Sequence, residues 1–259
     1  MSQDHIIVPK STLLQFSDPK SGIFHYLDLA DNKIYTAHAK TYNTGNDYYP
    51  PDKEQYLAQR IETPMGRLRK LLNSFTSGEK VIQLPNTVKA DAIRCIAVQI
   101  LRNPDYIKKV QSESIFGDSI PWQFYSPLHH PGYDLIDKCI NLFEKALINY
   151  DVNICVINEH NQFSFILPPE HFFSTGKNIF LVLSPFHAIL LLPTETNAKY
   201  YSQDGYLAYA EIEQYSEILP LYLKIIKEHM KDRDHCHIIG LKNQLQKLQS
   251  LISDFDAAK

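Results

Sequence analysis

Four residues of the chain have side chains suited to acid–base chemistry on an anionic substrate: His5, Glu62, Gln99 and Arg102. An imidazole and a carboxylate form a general acid–base pair near neutral pH. A guanidinium holds phosphate or carboxylate through two parallel hydrogen bonds, and an amide side chain can orient a water molecule. If the four side chains meet in one cleft, they supply the groups needed to hydrolyse a phosphodiester.

Gln99 and Arg102 share one stripe of a predicted helix with Cys95, because the three residues are spaced i, i+4 and i+7. The stripe lies opposite the isoleucine-rich face of the same helix. A simpler interpretation stays open, in which Gln99 and Arg102 point into solvent. Glu62 precedes Pro64 at a predicted helix break, and its carboxylate can equally favour a helix N-terminus through the helix dipole.

The elements that would position these residues follow in the order hairpin, helices, strands, helices. Two β-prone runs, 23–29 and 33–38, are separated by the turn-forming residues Asp31 and Asn32 and predict a hairpin. Apolar residues at three- and four-residue steps predict helices over 53–75, 87–103, 134–150, 207–231 and 241–255. Apolar runs predict an antiparallel β-meander from 152–157, 163–168, 178–184 and 187–193. This order predicts an α+β fold in a single domain, 1–259, with a subdivision into 1–150 and 151–259 as the alternative.

Composition and charge argue against several classes of protein. The 259 residues include 26 Lys and Arg against 29 Asp and Glu, a formal charge of −3, which is unlike a protein built around duplex phosphate contacts. The nine glycines form neither a GxGxxG nor a P-loop motif, so a nucleotide-binding enzyme of those types is not expected.

No metal site is predicted from the sequence. The ligand-rich run Asp232–His237 has no partner ligands at metal-binding spacing, and we interpret it as a polar linker between two helices. The sequence leaves the question of a cofactor open.

The cysteines and the longest apolar run bear on the compartment. The four cysteines stand far apart and form no CxxC pair, which is typical of a reducing cytoplasm. The apolar run 179–192 is shorter than the roughly 20 residues of a spanning helix. Ser184 and Pro185 interrupt it, so two strands joined by a turn are expected instead. We therefore expect a cytoplasmic protein without a membrane partner.

Several local patterns occur in the order in which one bacterial family carries them. HIIVPKSTLLQF (5–16) is similar to its N-terminal H-x-x-V-P signature, and VQILRNP (98–104) to its Gln-x-x-Arg-x-Pro helix end. Further similarities lie in IFHYLDL (23–29), GNDYY (45–49), Glu54 with Glu62, and LSPFHAILL (183–191). The chain thus resembles domain of unknown function 4238 over about residues 5–192, although FILPPEHFF (165–173) replaces the family's Ser-Asp-x-Pro segment. The resemblance implies no activity, but it places the four candidate catalytic residues on motif positions.

The first functional hypothesis is catalytic. The four residues would hydrolyse phosphodiesters, as in an RNase- or nuclease-like bacterial toxin or phage-defence effector. The near-neutral charge favours RNA or another single-stranded nucleic acid as the anionic partner over a duplex. Lys10, Tyr48 and Tyr49 would bind this substrate, the tyrosines by stacking on bases. Packing within their own loop is the alternative role for the tyrosines.

The second hypothesis involves no catalysis. The same polar groups would form a buried network that fastens the N-terminal segment to the helices, and the protein would be an interaction or regulatory module. An apolar stripe on the last predicted helix, formed by Leu241, Leu245, Leu248 and Ile252, would face a protein partner or dock on the chain's own core. Solvent access separates the hypotheses, because catalysis needs an open cleft while a structural network would be sealed.

Overall fold

The computed structural model describes residues 3–5, 8–42, 44–46, 55–56, 59, 62–72, 81–83, 87–102, 140–141, 144–147, 150–157, 163–168, 172–175, 178–193, 206–212, 219–220, 222–225 and 237–257. The strands are β1 Gln3–His5, β2 Ile23–Asp28, β3 Lys33–His38, β4 Thr44–Asn46, β5 Val81–Gln83, β6 Tyr150–Ile157, β7 Phe172–Thr175, β8 Asn178–Val182, β9 His187–Pro193, β10 Tyr206–Ile212 and β11 His237–Gly240. The helices are α1 Lys10–Leu13, α2 Thr63–Leu72, α3 Thr87–Arg102 and α4 Lys242–Ala257.

Helices and antiparallel sheets together confirm the predicted α+β class. Among the described helices, none has the length and apolar character needed to cross a membrane.

The chain divides into two structural units, each assembled from three segments. The first unit contains Met1–Ile7, Asn43–Asn153 and Leu191–Ala208. The second unit contains Val8–Tyr42, Ile154–Leu190 and Tyr209–Lys259. Each unit therefore joins stretches that are far apart in the sequence.

The second unit contains a three-stranded antiparallel sheet in the order β11-β2-β3. Strands β2 and β3 form the predicted hairpin, with Ile23 opposite His38 and Asp28 opposite Lys33. Strand β11 pairs with the other side of β2 and places His237 opposite Asp28. The central strand thus has one neighbour that is close in the sequence and one that is distant.

Short polar side chains shape the turn of the hairpin. The Asp28 carboxylate accepts a hydrogen bond from the Ala30 backbone N–H at 2.9 Å, and the Asp31 carboxylate accepts one from the Lys33 N–H at 3.1 Å. Asn32 has a φ of 55°, in the left-handed region that Asn tolerates better than most residues. The turn chemistry predicted for Asp31 and Asn32 is therefore confirmed.

Helix α4 covers one face of this sheet and contacts all three strands. Its predicted apolar stripe is buried at Leu245, Leu248 and Ile252. The Gln249 side-chain amide donates to the Asn32 carbonyl oxygen at 2.6 Å, and the Asn32 amide donates to the Gln249 carbonyl oxygen at 3.3 Å. The stripe docks on the chain's own core, so a protein partner of this helix would have to use its other faces.

The first unit contains helices α2 and α3, which pack against each other. Met65, Leu68 and Leu72 are buried, as the periodicity of the 53–75 segment predicts. Helix α2 begins at Thr63, beside Pro64, where the sequence predicts a break. Strand β1 pairs antiparallel with β4, and β5 pairs antiparallel with the first residues of β10.

Six strands form a second, larger sheet in the order β5-β10-β6-β9-β8-β7. Strand β7 pairs antiparallel with β8. The turn between β8 and β9 is closed by a hydrogen bond from the Leu183 N–H to the His187 carbonyl oxygen at 2.9 Å, and the Ser184 hydroxyl oxygen accepts from the His187 N–H at 3.0 Å. This confirms two strands and a turn within 179–192. Strand β6 neighbours β9 instead of the next predicted strand, so the predicted meander is correct only for its last two strands, β8 and β9. Strand β7 was not predicted from the sequence.

Two of the predicted elements are wrong. Segment 163–168 adds no strand to the large sheet and makes only a single bridge between Leu167 and Ile239 of β11, because Pro168 and Pro169 cannot donate to a sheet ladder. Residues 206–212 form strand β10, where the sequence pattern predicts the start of a helix. Pairing of β10 with β5 supplies long-range hydrogen bonds that override the local helical preference.

Candidate functional site

The polar stripe of α3 is buried in the first unit. Asp91 is 4% exposed, and Cys95 and Gln99 are both 0% exposed. Apolar residues on the opposite side of the same helix, such as Ile93 and Ile96, are buried as well. The interpretation of Gln99 as a solvent-exposed residue is therefore wrong. Helical periodicity locates a stripe on a helix but does not show what covers it.

Helix α2 supplies a guanidinium to this stripe. The Arg67 Nε atom donates to the Asp91 Oδ2 atom at 2.6 Å, and the Arg67 Nη2 atom donates to the Asp91 Oδ1 atom at 2.5 Å. The Asp91 side chain is 5% exposed, whereas the Arg67 side chain is 53% exposed. Such two-bond pairs between a guanidinium and a carboxylate are strong and directional. The pair fixes α2 and α3 side by side.

A second arginine of α2, Arg69, is largely buried beside the stripe. Burial lowers the pKa of the Arg69 guanidinium to about 10, and interactions with Cys95 and Glu62 act in the opposite direction. Arg69 therefore stays positively charged at neutral pH, and its Nη2 atom contacts the Met65 sulfur at 3.2 Å. Burial raises the pKa of the Cys95 thiol to about 12, so this cysteine is protonated and is unsuited to act as a nucleophile.

The structure describes two of the four side chains predicted to be catalytic. Glu62 is exposed just before α2, and Gln99 is buried in α3. His5 ends strand β1 and Arg102 ends α3, but their side chains lie outside the described residues. Glu62 and Arg69 are close enough for the carboxylate to raise the pKa of the guanidinium. The structure thus associates Glu62 with Arg69, and the convergence of the four predicted residues stays a prediction.

The residues predicted to bind substrate are only partly described. Lys10 is the first residue of α1 in the second unit and is partly exposed. Tyr48 and Tyr49 lie outside the described residues. Within the described part of the chain, no group of three or more His, Cys, Asp and Glu side chains is arranged to hold a metal ion.

A different cluster of rings lies on the three-stranded sheet of the second unit. We call it the aromatic surface, and it consists of Tyr26, Tyr35, Tyr42 and His237. The ring centroid of Tyr26 lies 5.7 Å from that of Tyr35, 5.6 Å from that of Tyr42 and 4.5 Å from that of His237. Tyr35 is 39% exposed, and the His237 side chain is 33% exposed. Four rings in contact thus form a partly exposed surface.

Strand alternation explains why these rings share one face. Tyr26 lies directly opposite Tyr35 in the β2–β3 register, and successive side chains of a strand point to opposite faces. Leu27, between Tyr26 and Asp28, is 0% exposed and lies opposite the buried Ile238 of β11. The aromatic surface therefore occupies the face away from this apolar layer.

Two carboxylates border the aromatic surface. The Tyr35 hydroxyl donates to the Asp31 Oδ2 atom at 2.6 Å, and the Asp28 Oδ2 atom lies 3.5 Å from the His237 Nε2 atom. Burial and the charges of Asp28 and Asp31 raise the pKa of Tyr26. The hydrogen bond to Asp31, with smaller contributions from burial and the same two charges, raises the pKa of Tyr35. The rings therefore lie in a negative electrostatic potential.

Tyr42, His237 and Asp28 form a chain of polar contacts. The Tyr42 hydroxyl lies 2.8 Å from the His237 Nδ1 atom, and the Nε2 atom of the same ring faces Asp28. Both contacts are satisfied when Nδ1 accepts from the tyrosine and Nε2–H points to the carboxylate. This arrangement holds the imidazole and the phenol in fixed orientations.

This cluster was not predicted from the sequence, although part of its signal is present there. The alternation Phe24, Tyr26, Asp28 is typical of one face of a strand, and Tyr35 falls on the matching face of the hairpin. His237 begins strand β11, so its interpretation as part of a polar linker between helices is wrong. No local pattern indicates that β11 pairs with β2, because the two strands are so far apart in the sequence.

Comparisons with protein family models, curated proteins and solved structures find no match to this chain. Membership of domain of unknown function 4238 therefore stays a prediction. Any functional conclusion must come from the chain's own geometry.

Proposed function

We propose that the chain is a non-catalytic protein-interaction module and that the aromatic surface is its binding site. The observation that carries this proposal is the partial exposure of contacting rings, with Tyr35 39% exposed at the rim. Tyrosine is enriched where proteins bind one another, because it combines a large apolar ring with a polar hydroxyl. A partly exposed cluster of such rings is an uncommon feature on a surface that stays in contact with water.

The fixed orientations of the rings support the same function. Tyr42 and His237 are held by their mutual contact, and Tyr35 is held by its hydrogen bond to Asp31. Side chains that are ordered before binding lose less conformational freedom when a partner arrives. The surface is therefore preorganised for binding.

The burial of the α3 stripe also favours an interaction module over an enzyme at that position. Asp91, Cys95 and Gln99 are all buried. Of the four residues in the second sequence hypothesis, Gln99 is buried, as a structural network requires, whereas Glu62 is exposed. A buried amide and a protonated thiol have no access to substrate. In this proposal the stripe stabilises the first unit, while the aromatic surface of the second unit binds the partner.

Photo-crosslinking in the native host tests this proposal. With p-benzoylphenylalanine in place of Tyr35, we expect irradiation to give one covalent adduct of defined mass, because a bound partner would lie against this ring. The same residue in place of Leu14, which is 45% exposed and lies outside the aromatic surface, is the matched control. A Tyr26→Ala change in the crosslinking chain should reduce the adduct several-fold. Equal yields at positions 35 and 14, or no adduct at 35, would refute the proposal.

A second candidate function is phosphodiester hydrolysis, and the proximity of Glu62 to Arg69 favours it. The exposed Glu62 carboxylate supplies an acid–base group, and the positive charge of the largely buried Arg69 acts on it, while the predicted Arg102 would be the anion-binding group. This candidate predicts that Glu62→Gln lowers cleavage of single-stranded RNA by a factor of about 10²–10⁴, the range typical of a lost general acid or base. His5→Ala should behave similarly.

The control for this assay is Lys70→Gln, which alters an exposed charge on the same helix. Cleavage should survive this change with an effect of less than about threefold, as expected for a remote surface charge. A wild-type chain that cleaves neither RNA nor single-stranded DNA, or a Glu62→Gln variant as active as wild type, would eliminate the candidate.

A further inference from the structure

We propose that the aromatic surface recognises an arginine side chain, presented by an extended basic peptide segment that pairs with strand β3. This inference rests on the proposed interaction function and specifies the chemistry of the partner. Three features of the second unit support it: the negative potential, the stacked tyrosines and the position of β3 at the edge of its sheet.

The potential at the surface selects a cation. The Asp31 carboxylate accepts a hydrogen bond from the Tyr35 hydroxyl at 2.6 Å and the Asp28 carboxylate lies 3.5 Å from the His237 ring, so two negative charges border the rings. In keeping with this geometry, both carboxylates raise the pKa of Tyr26 and of Tyr35. A phosphate or a carboxylate brought to the same place would be repelled. Lys33 is the described cation nearest to these acids, with its Nζ atom 3.4 Å from the Asp31 Oδ2 atom, and its side chain is 68% exposed. It can turn toward solvent and leave the Asp31 carboxylate to an incoming cation.

The ring geometry favours a planar cation. The rings of Tyr26 and Tyr35 are stacked with an interplanar angle of 30°, so they present roughly parallel planes. A guanidinium is flat, stacks on aromatic faces and can bind a carboxylate with two N–H groups at once. An ammonium group is compact and strongly hydrated and gains less from such a surface. Arginine is therefore preferred to lysine.

The position of β3 explains why an extended peptide would present this arginine. In the order β11-β2-β3, the strand β3 lies at the edge, and within the described residues it pairs only with β2. An edge strand offers backbone N–H and C=O groups to an added strand. Side chains of the added strand would alternate between faces, so every second one would lie on the face that carries Tyr35, and the one opposite Tyr35 would contact its ring. The backbone supplies general affinity, and the rings supply selectivity for arginine.

A peptide titration tests the inference on the full chain. The probe is a seven-residue peptide of alternating Thr and Arg, and its matched controls carry Lys or Glu in place of Arg. Binding is followed by two-dimensional NMR of the protein. We expect the Arg peptide to bind at least about threefold more tightly than the Lys peptide, because only a guanidinium can both stack on the rings and donate two hydrogen bonds to one carboxylate. The Glu peptide should show no binding.

Variants localise the binding to the surface. Tyr35→Leu and Asp31→Asn should each weaken binding of the Arg peptide about fivefold or more, since each removes one of the two groups that recognise the guanidinium. Leu14→Ala, at an exposed position outside the surface, should leave the affinity unchanged. Unchanged amide spectra away from β3 show that each variant is folded. Equal binding of Arg and Lys peptides, or insensitivity to both variants, would overturn the inference.

The two proposals fail in different ways. If crosslinks form at position 35 but the Arg peptide does not bind, the arginine assignment is overturned and the interaction function stands. If neither crosslinks nor peptide binding is observed, both proposals fall. Binding of single-stranded RNA that is lost in Tyr35→Leu would assign the surface to nucleic acid instead and would also overturn the inference.

Discussion

Replacing Arg67 by alanine is expected to lower the free energy of unfolding by about 2 kcal/mol, although about half of the Arg67 side chain is exposed. This loss of stability arises mainly from the partner of Arg67, which is Asp91. The Asp91 carboxylate is 5% exposed and would lose both guanidinium hydrogen bonds while staying in buried surroundings. Breaking a fully buried pair costs about 3–5 kcal/mol. The loss expected here is smaller, about 2 kcal/mol, because water has access to the Arg67 side of the pair.

A second substitution distinguishes this cause from a general loss of packing. In the Arg67→Ala background, Asp91→Leu should recover most of the lost stability, because it removes the carboxylate that was left without its guanidinium. Lys70→Ala, at an exposed position of the same helix, should change the free energy of unfolding by less than about 0.5 kcal/mol. Urea denaturation of the single and double variants gives all the values. If the double variant is no more stable than Arg67→Ala, the buried carboxylate is not the source of the loss.

The Leu248→Ala variant is expected to lose about 3 kcal/mol of unfolding free energy, within the range measured for leucine truncations in protein cores. Leu248 is 0% exposed on the face of α4 that covers the three-stranded sheet. Removal of its isopropyl group takes apolar surface out of contact and leaves a cavity that rigid neighbours fill only in part. The midpoint of urea denaturation should fall accordingly.

The matched control for this variant is Gln246→Ala, two residues earlier on the exposed side of the same helix. Alanine favours helix at least as well as glutamine, so this variant should keep the stability of the wild type within about 0.5 kcal/mol. Losses of similar size in both variants would mean that α4 is not held by its apolar stripe. They would contradict the packing of the helix on the sheet.

Elements with strong local signals could be predicted from the sequence. The β2–β3 hairpin followed from two β-prone runs around Asp31 and Asn32, and α4 followed from an apolar stripe with helical spacing. Both depend on interactions between residues that are close in the chain. Strand β10 could not be predicted in this way, because its conformation depends on pairing with β5, more than a hundred residues earlier.

The candidate sites show the same division. The helical spacing correctly put Cys95 and Gln99 on one stripe, but it could not show that neighbouring elements bury that stripe. Tyr26 and Tyr35 were recognisable as residues of a hairpin, whereas the addition of His237 requires the distant strand β11. Chemistry that arises when remote segments meet is therefore the part that local patterns do not reveal.

The pairing of Asn32 with Gln249 spans 217 residues of sequence, and it has a consequence for biosynthesis. A ribosome adds about 5–20 residues each second, so the hairpin emerges roughly 10–40 s before the helix that shelters its apolar face. During that interval Leu27 and its neighbours have no native cover. Nascent chains of this protein should therefore need a chaperone, or transient contacts of their own, until synthesis reaches α4.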